Sequence, residues 1–533
     1  MVFILLFTLA VLWIFYNCYW KRYGLPPGPM PLPLIGNMAE FNRDPSCYKL
    51  FSKWEKKYGP IFTYWQGEEP IIAITDYDLI VEAFVKNGDA TSDRHTKFLH
   101  NYSRLFRGSE PRGLFATPKN SKQNWEEHRK FLMQYIKKIN FGEIFVLDEI
   151  ETIFEKLQSS LNSGLKEHDV GELIDIAIAS IIQQILFGHR FNDDEKIKEY
   201  KNLQNILMEH FGSWFKLCNI VVLIWPEILK HIPILNKDFS TLLGSGNQLY
   251  EYHETQIKKH QNIHENAFQN DSNIEDATDF IDAFLRQRSR NLELFNDEGE
   301  FSMEQLRAIS FDFWVATLVT ATQIKYNIIM LIRNPKIQEK IQQELDQICG
   351  NGRIEARHKP DLPYTNAALN MLRKTRLRHE KIVSAQLALY VNELRRLGCF
   401  AINPVPARQT RIPIVIGGYT IPAETAIHPV FSSVLLNEKY FPKPNEFIPE
   451  RFLSQNESNI NKLEYLIGFG LGKRQCLGEP LSKIEDFLIT ANLIHQFKFF
   501  SIDPTNPPSD EKVFGVAVSL KEKFKCKIVP RLT

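Results

Sequence analysis

The stretch Phe469-Gly-Leu-Gly-Lys-Arg-Gln-Cys-Leu-Gly478 decides how the rest of this chain is read. A single cysteine is most often a small buried hydrophobe. The company of Cys476 points elsewhere. Gly470, Gly472 and Gly478 allow tight backbone turns and close approach of a flat ligand. Exposed amides in such a turn can donate hydrogen bonds to a sulfur and stabilise it as the thiolate. Phe469 can screen that sulfur from water, and Arg474 carries the charge to clamp a carboxylate. A helix-like run over residues 481–493 follows and gives the loop a rigid seat.

Outward from this loop, composition sets broad bounds. The chain has 533 residues, enough for one large domain or several. A hydrophobic fraction of 44% with 28 prolines suits an ordinary globular enzyme. Lysine plus arginine (64) balances aspartate plus glutamate (63), so overall charge gives no pull toward nucleic acid. Cysteines 18, 47, 218, 349, 399, 476 and 526 are scattered without a CxxC pair, which favours a reducing compartment for the folded body.

Residues 2–20 form an uncharged apolar run long enough to cross a bilayer as a helix. No small-x-small cleavage site follows it, so the reading is an uncleaved signal-anchor rather than a removed leader. Lys21 and Arg22 place the remainder in the cytosol. Residues 21–37, with Leu25-Pro-Pro-Gly-Pro-Met-Pro-Leu-Pro, read as a stiff proline-rich hinge, and residues 38–533 as one domain.

Within that body, residues 48–58 are amphipathic and residues 61–66 and 71–75 read as short strands. From Trp125 to about residue 348 the pattern is helical, broken at Pro226, Pro233 and Pro335. Residues 253–276 are polar and read as a solvated helix end and loop. His260 and His264 within it, four apart, lack a third ligand for a metal. The apolar stretch 211–235 suits either core burial or the membrane interface. After Pro404 short strands and turns take over, at 412–416, 419–421 and 513–520.

Two further patterns carry weight. Glu393-Leu-Arg-Arg396 sets a carboxylate and a guanidinium three apart on a helical pattern. Pro444-Asn-Glu-Phe-Ile-Pro-Glu-Arg-Phe452 supplies a second arginine, Arg451, upstream of the cysteine loop. Two arginines can satisfy one buried glutamate from both sides, as a lone pair cannot.

The order Glu-x-x-Arg, Pro-Glu-Arg-Phe, then Phe-x-x-Gly-x-Arg-x-Cys-x-Gly resembles the cytochrome P450 family from end to end, and the proline-rich segment resembles its membrane-bound microsomal members. The resemblance implies a mainly α fold with small β regions, a body of helices holding haem b between two long helices. It makes Cys476 the axial ligand of the haem iron, screened by Phe469. Glu393, Arg396 and Arg451 become a structural lock behind the haem. Trp125 and Arg129 of Trp-Glu-Glu-His-Arg join Arg474 on the haem propionates. Arg408 is a weaker candidate there, because the family's basic residue usually directly follows the proline, where this chain has Ala407.

Further implications are an NADPH-dependent flavoprotein reductase as electron donor, with cytochrome b5 as an additional partner. Basic docking charge could come from Lys130, Lys473 and Lys483. The expected location is the endoplasmic reticulum membrane, single-pass, and the substrate a lipophilic small molecule met by residues 96–106, 211–235, 313–320 and 516–520.

Two departures stand out. The family's oxygen-side helix usually carries Ala/Gly-Gly-x-Asp/Glu-Thr-Thr. Read from Ala316, this chain has Thr317 for the glycine, Val319 for the acid and Thr320 for the proton-delivering threonine. Read back from Asn334-Pro335 it is one residue short, so Thr322 or a neighbour can shift into place. About twenty residues, 371–392, also separate Asp361-Leu-Pro-Tyr-Thr-Asn-Ala-Ala-Leu-Asn370 from Glu393, as an insertion or a gene-model artefact. These departures leave two rivals to a monooxygenase: a reductase-independent haem-thiolate isomerase or dehydratase, and a non-catalytic or degraded haem binder.

Overall fold

The computed structural model describes residues 2–43, 47–95, 111–117, 125–214, 216–224, 226, 231–267, 277–295, 300–350, 352–355, 393, 395–397, 407–452, 462–513 and 519–531. The helix α1 (Val2–Cys18) leads, followed by α2 (Tyr48–Tyr58). A helical body then runs through α3 (Trp125–Lys138), α4 (Glu143–Asn162), α5 (Val170–Phe187), α6 (Asp194–Trp214), α7 (Pro233–Ala267), α8 (Phe280–Phe295), α9 (Met303–Arg333) and α10 (Pro335–Cys349). The last long helix is α11 (Glu479–Gln496).

Local chemistry explains the boundaries that matter here. Ser302 caps α9 by accepting from the Gln305 amide at 3.3 Å. Asn334 closes that helix, and Pro335 opens α10 where its missing amide costs nothing. Pro480 does the same for α11, directly after the cysteine loop. Among the described residues three helices are long and apolar enough to span a bilayer. Two of them, α5 and α9, spend that apolar surface inside the body, where Ile174, Ile178, Ile181, Leu306, Ile324 and Leu331 are fully buried. The first is different: Phe3, Phe7, Leu12 and Phe15 stand bare.

A five-stranded sheet lies to one side, in the order β1 (Ile61–Gln66), β2 (Glu69–Ile74), β7 (Ala426–Pro429), β4 (Arg408–Gln409) and β3 (Asp93–Arg94). β1 and β2 form an antiparallel hairpin, β2 runs parallel to β7, and the last two pairings are antiparallel. Between β4 and β7 lies the hairpin of β5 (Ile414–Ile416) and β6 (Tyr419–Ile421).

The structure refines three expectations. The proline-rich segment is seated on the sheet edge rather than standing free: the Thr63 amide donates to Pro27 O at 2.9 Å, and a Cβ at Gly28 would meet Thr63 O at 1.8 Å. His253 is buried and His260 bonds Asp279 through Nε2 at 3.0 Å, so the histidine side of this part of α7 is packed, while Thr255, Lys258 and Lys259 on its other side are solvated as expected. The side chain of His264 lies outside the described residues. In the 211–235 stretch, Val222 and Leu223 are buried against Phe239 and Leu242. Residues 96–106, 371–392 and 516–518 lie outside the described residues, as do the positions they would occupy in a site.

Candidate active site

The cysteine loop is a double turn. Gly470 and Gly472 take φ of +80° and +71°, and a Cβ on Gly472 would strike the Phe84 carbonyl at 1.9 Å. This folding returns the Cys476 amide to the Phe469 carbonyl at 2.8 Å. The Cys476 sulfur has accessible surface, yet protein surrounds it closely enough that burial raises its thiol pKa. Both hold for a sulfur on the wall of an internal cleft. The backbone amides of Gly478 and Glu479 and the charge of Arg129 oppose the rise, and so favour the thiolate. Phe469 is half-buried beside it, with Lys483 Nζ 5.6 Å from its ring centre.

Four guanidiniums converge near this loop: Arg94, Arg129, Arg408 and Arg474. Arg94 belongs to none of the sequence patterns above. Strand pairing sets it directly opposite Arg408, and two like charges in that position repel. Burial lowers the pKa of both Arg408 and Arg474, and neighbouring arginines lower each further. Asp93 and Asp312 offset part of the charge around Arg94.

Much of the cluster is held by backbone carbonyls. Arg474 donates to Ser92 O at 2.9 Å, Leu114 O at 3.3 Å and Thr117 O at 2.8 Å, while its guanidinium stacks 3.7 Å from the Trp125 ring centre. Arg129 donates to Gln475 O at 2.6 Å. Trp125 is buried and donates through Nε1 to Leu114 O at 3.1 Å. Arg408 donates one bond, to Leu471 O at 2.8 Å, and its buried Nε and Nη1 have no partner among the described residues. Unpaired guanidinium nitrogens beside a thiolate-capable sulfur suit a flat group with anionic arms, as haem and its propionates are.

Residues 111–117 strap this cluster to α9. Asp312 accepts from the Leu114 and Phe115 amides at 2.6 and 3.0 Å, and Gln305 accepts from Gly113 at 3.0 Å. Along α9, Ala316 is exposed although Phe313, Trp314, Thr317 and Thr320 around it are buried. Ala316 is thus the accessible point on this buried stretch of the helix. Val319 lies half-buried on the same side. Thr320, one turn beyond Ala316, points its hydroxyl to Ser482 of α11 at 3.2 Å, and Thr317 bonds back to Trp314 O at 2.7 Å. Thr322 is buried.

The glutamate lock is assembled in full. Arg396 grips Glu393 with two bonds, Nε to Oε2 at 2.8 Å and Nη2 to Oε1 at 2.7 Å. Arg451 Nε and the Ile448 amide reach Oε1 at 2.9 and 3.0 Å. Arg396 also donates to the carbonyls of Leu435 and Pro444, so the lock ties distant loops together. Lys473 and Lys483, the expected docking charges, are ion-paired with Asp89 and Glu479, while Lys130 is exposed. Among the described residues no group of three or more His, Cys, Asp and Glu could hold a metal ion by itself.

An accessible cysteine with Arg129 acting on it, and buried Arg408 and Arg474 bonded to and around the same loop, defines the class as a protein suited to hold an anionic prosthetic group through a cysteine. The comparisons make this specific. The sequence profile described as Cytochrome P450 matches residues 26–379 and 389–528, passing over 380–388 inside the 371–392 stretch. Similar proteins include cytochrome P450 2C8 of Homo sapiens, 28% identical over 96% of this chain and 95% of its own. Cytochrome P450 2C44 of Mus musculus is 28% identical over 95% and 94%, and cytochrome P450 2H1 of Gallus gallus 27% over 96% and 94%. This chain belongs to the cytochrome P450 family. It is therefore a haem-dependent monooxygenase, an oxidoreductase, and neither rival reading is favoured.

Proposed function

We propose that Cys476 is the axial ligand of haem b, that Phe469 screens the sulfur, and that Trp125, Arg94, Arg129, Arg408 and Arg474 hold the propionates. The observation that carries this is an accessible Cys476 on the same loop to which Arg408 is bonded, with two Arg408 nitrogens partnerless among the described residues. Bound there, the haem supplies oxygen activation, with the thiolate adding electron density. The chain's own residues then have distinct tasks. The amides of Gly478 and Glu479 steady the sulfur charge. Glu393, Arg396 and Arg451 hold the loops behind it as a structural lock, without touching the reacting atoms. Ala316 and Val319 leave an apolar opening on the other wall, which suits a lipophilic small molecule. Thr320 passes a proton toward that opening.

In this reading α1 and its flank, residues 2–20, anchor the protein in the endoplasmic reticulum membrane, residues 21–37 form the hinge, and residues 38–533 are the catalytic domain facing the cytosol. Electrons come from an NADPH-dependent flavoprotein reductase, with cytochrome b5 as a second donor. The test is the reduced, CO-bound spectrum of the full-length protein and of Cys476→Ser. A thiolate-type band in the parent that disappears in the variant is expected. An unchanged band in the variant sinks the assignment of Cys476. A screen of lipophilic compounds for haem spin-state shift then identifies the substrate class.

A further inference from the structure

The foot of α1 is fastened to the body by a lysine that the anchor reading counts only as a flanking charge. Lys21 stands in the turn after α1, yet its side chain is 5% exposed. Its ammonium donates to Glu68 Oε2 and to Asn17 Oδ1, each at 2.7 Å, and lies 4.5 Å from the Trp65 ring centre. Asn17, one turn back in α1, is itself buried, and its Nδ2 donates to Trp13 O at 2.9 Å. Glu68 sits in the tight turn between β1 and β2, and its other oxygen, Oε1, accepts from the Leu34 amide at 2.8 Å. One carboxylate thus holds both the end of the anchor and the proline-rich hinge.

The hinge is pinned along β1 at further points. Besides the bond from Thr63 to Pro27, the Asn37 amide donates to Trp65 O at 2.8 Å and the Trp65 amide to Asn37 Oδ1 at 2.9 Å. Gly36 comes so near that a Cβ there would meet Trp65 O at 2.3 Å. A proline-rich spacer is stiff within itself and swivels at its ends, and here both ends are tied. Trp20, Tyr23, Met30, Leu32 and Leu34 around these ties are all at least half exposed. They continue directly from the bilayer-length α1, and aromatic residues suit the headgroup level of a membrane.

We propose, on the reading of α1 as a membrane anchor, that Glu68 is an anchor clamp: by holding Lys21 against Trp65 it fixes the angle between α1 and the body, and so lays Trp20, Tyr23, Met30, Leu32 and Leu34 on the phospholipid surface. An ion pair withdrawn from solvent is screened less than an exposed one, so the clamp holds at physiological salt. Without Glu68 the long lysine stem swings outward and carries its charge to the anionic headgroups. The chain then pivots at Gly24, which lies between Lys21 and the first strand contact at Pro27 and takes φ of +81°.

The test uses the full-length haem protein in bilayers of phosphatidylcholine and phosphatidylserine. Linear dichroism of the haem band in oriented bilayers reads the tilt of the body, and hydrogen exchange of the peptide covering residues 30–36 reads the hinge. The parent should hold one narrow tilt. Glu68→Ala and Lys21→Met should each shift or broaden it, and the double variant should go no further, because both remove the same contact. Exchange at the Leu34 amide should rise about tenfold in Glu68→Ala and less in Lys21→Met, which leaves that bond in place. A tilt in Glu68→Ala equal to the parent's overturns the proposal, even where hinge exchange rises. A tilt changed by Glu68→Ala and untouched by Lys21→Met overturns it too, since the lysine is then no part of the clamp. If Glu68→Ala loses haem, Lys21→Met carries the test by the same two outcomes. A parent that alkaline carbonate strips from the bilayers instead removes the anchor reading, and the clamp with it.

Discussion

Glu393 and Glu485 are hidden from water almost equally, at 0% and 2% exposure, and the protein treats them in opposite ways. Glu393 receives two bonds from Arg396, one from Arg451 and one from the Ile448 amide. Among the described residues Glu485 keeps one oxygen bare and no cation is among the groups acting on it. Burial alone therefore tells nothing about role. A buried carboxylate with every lone pair met is a fastening, because removing it strands two cations. A buried carboxyl with unmet capacity stays neutral and remains chemically available.

The largest expected effect lies on the fastening side. Glu393→Ala should leave Arg396 and Arg451 uncompensated and cost about 3–5 kcal/mol, read as a lower melting temperature with haem loss. A loss below about 1 kcal/mol would mean that the two glutamates do not differ as described.

Glu485 should respond in the opposite sense. Its folded-state pKa lies above the ordinary 4.5, so the folded protein binds the extra proton and stability falls as pH rises from about 4.5 to about 8. Glu485→Gln keeps the shape of the neutral acid and does not ionise. Its unfolding free energy should pull ahead of the parent's across that window, by on the order of 2–4 kcal/mol at the upper end in denaturant titration, and run parallel above it. A constant offset at all pH values would mean that Glu485 is ionised throughout.

The His260–Asp279 pair is a smaller case on the fastening side. Burial pulls His260 down, but the Asp279 bond and charge outweigh it, so its pKa is raised above 6.5. That contribution is fully present below pH 6.5 and is lost as pH climbs through the raised value. His260→Gln should cost about 0.5–1 kcal/mol at pH 6 and less at pH 8.5 in thermal melts. The smallest effect should come from Lys473→Ala. Its Asp89 partner is 80% exposed, so solvent screening holds the change within about 0.5 kcal/mol in denaturant titration.

How much of the site was legible follows from the same contrast. Cys476, Glu393, Arg396 and Arg451 sit in local patterns whose spacing carries the chemistry, and the sequence presents them plainly. The bounds of β1, β6 and α10 were likewise set by alternation and by Pro335. Arg94 carries no such signal. Its place beside Arg408 arises from pairing two strands more than three hundred residues apart in the chain. Glu485 reads in sequence as an ordinary polar position of an amphipathic helix. His260 is silent in the sequence for a related reason: a polar composition cannot reveal that Asp279 folds against it.

By itself, then, the sequence determined the cysteine loop, the glutamate and its two arginines, the apolar first helix and the family. These are written in contiguous residues, where fixed backbone preferences and short spacing leave few alternatives. Only the tertiary structure decided which buried charges are matched and which are left open. That is a property of long-range contacts, since a partner three hundred residues away costs the local sequence nothing to omit. Arg408 keeps two bare nitrogens and Glu485 a bare oxygen because no described neighbour reaches them.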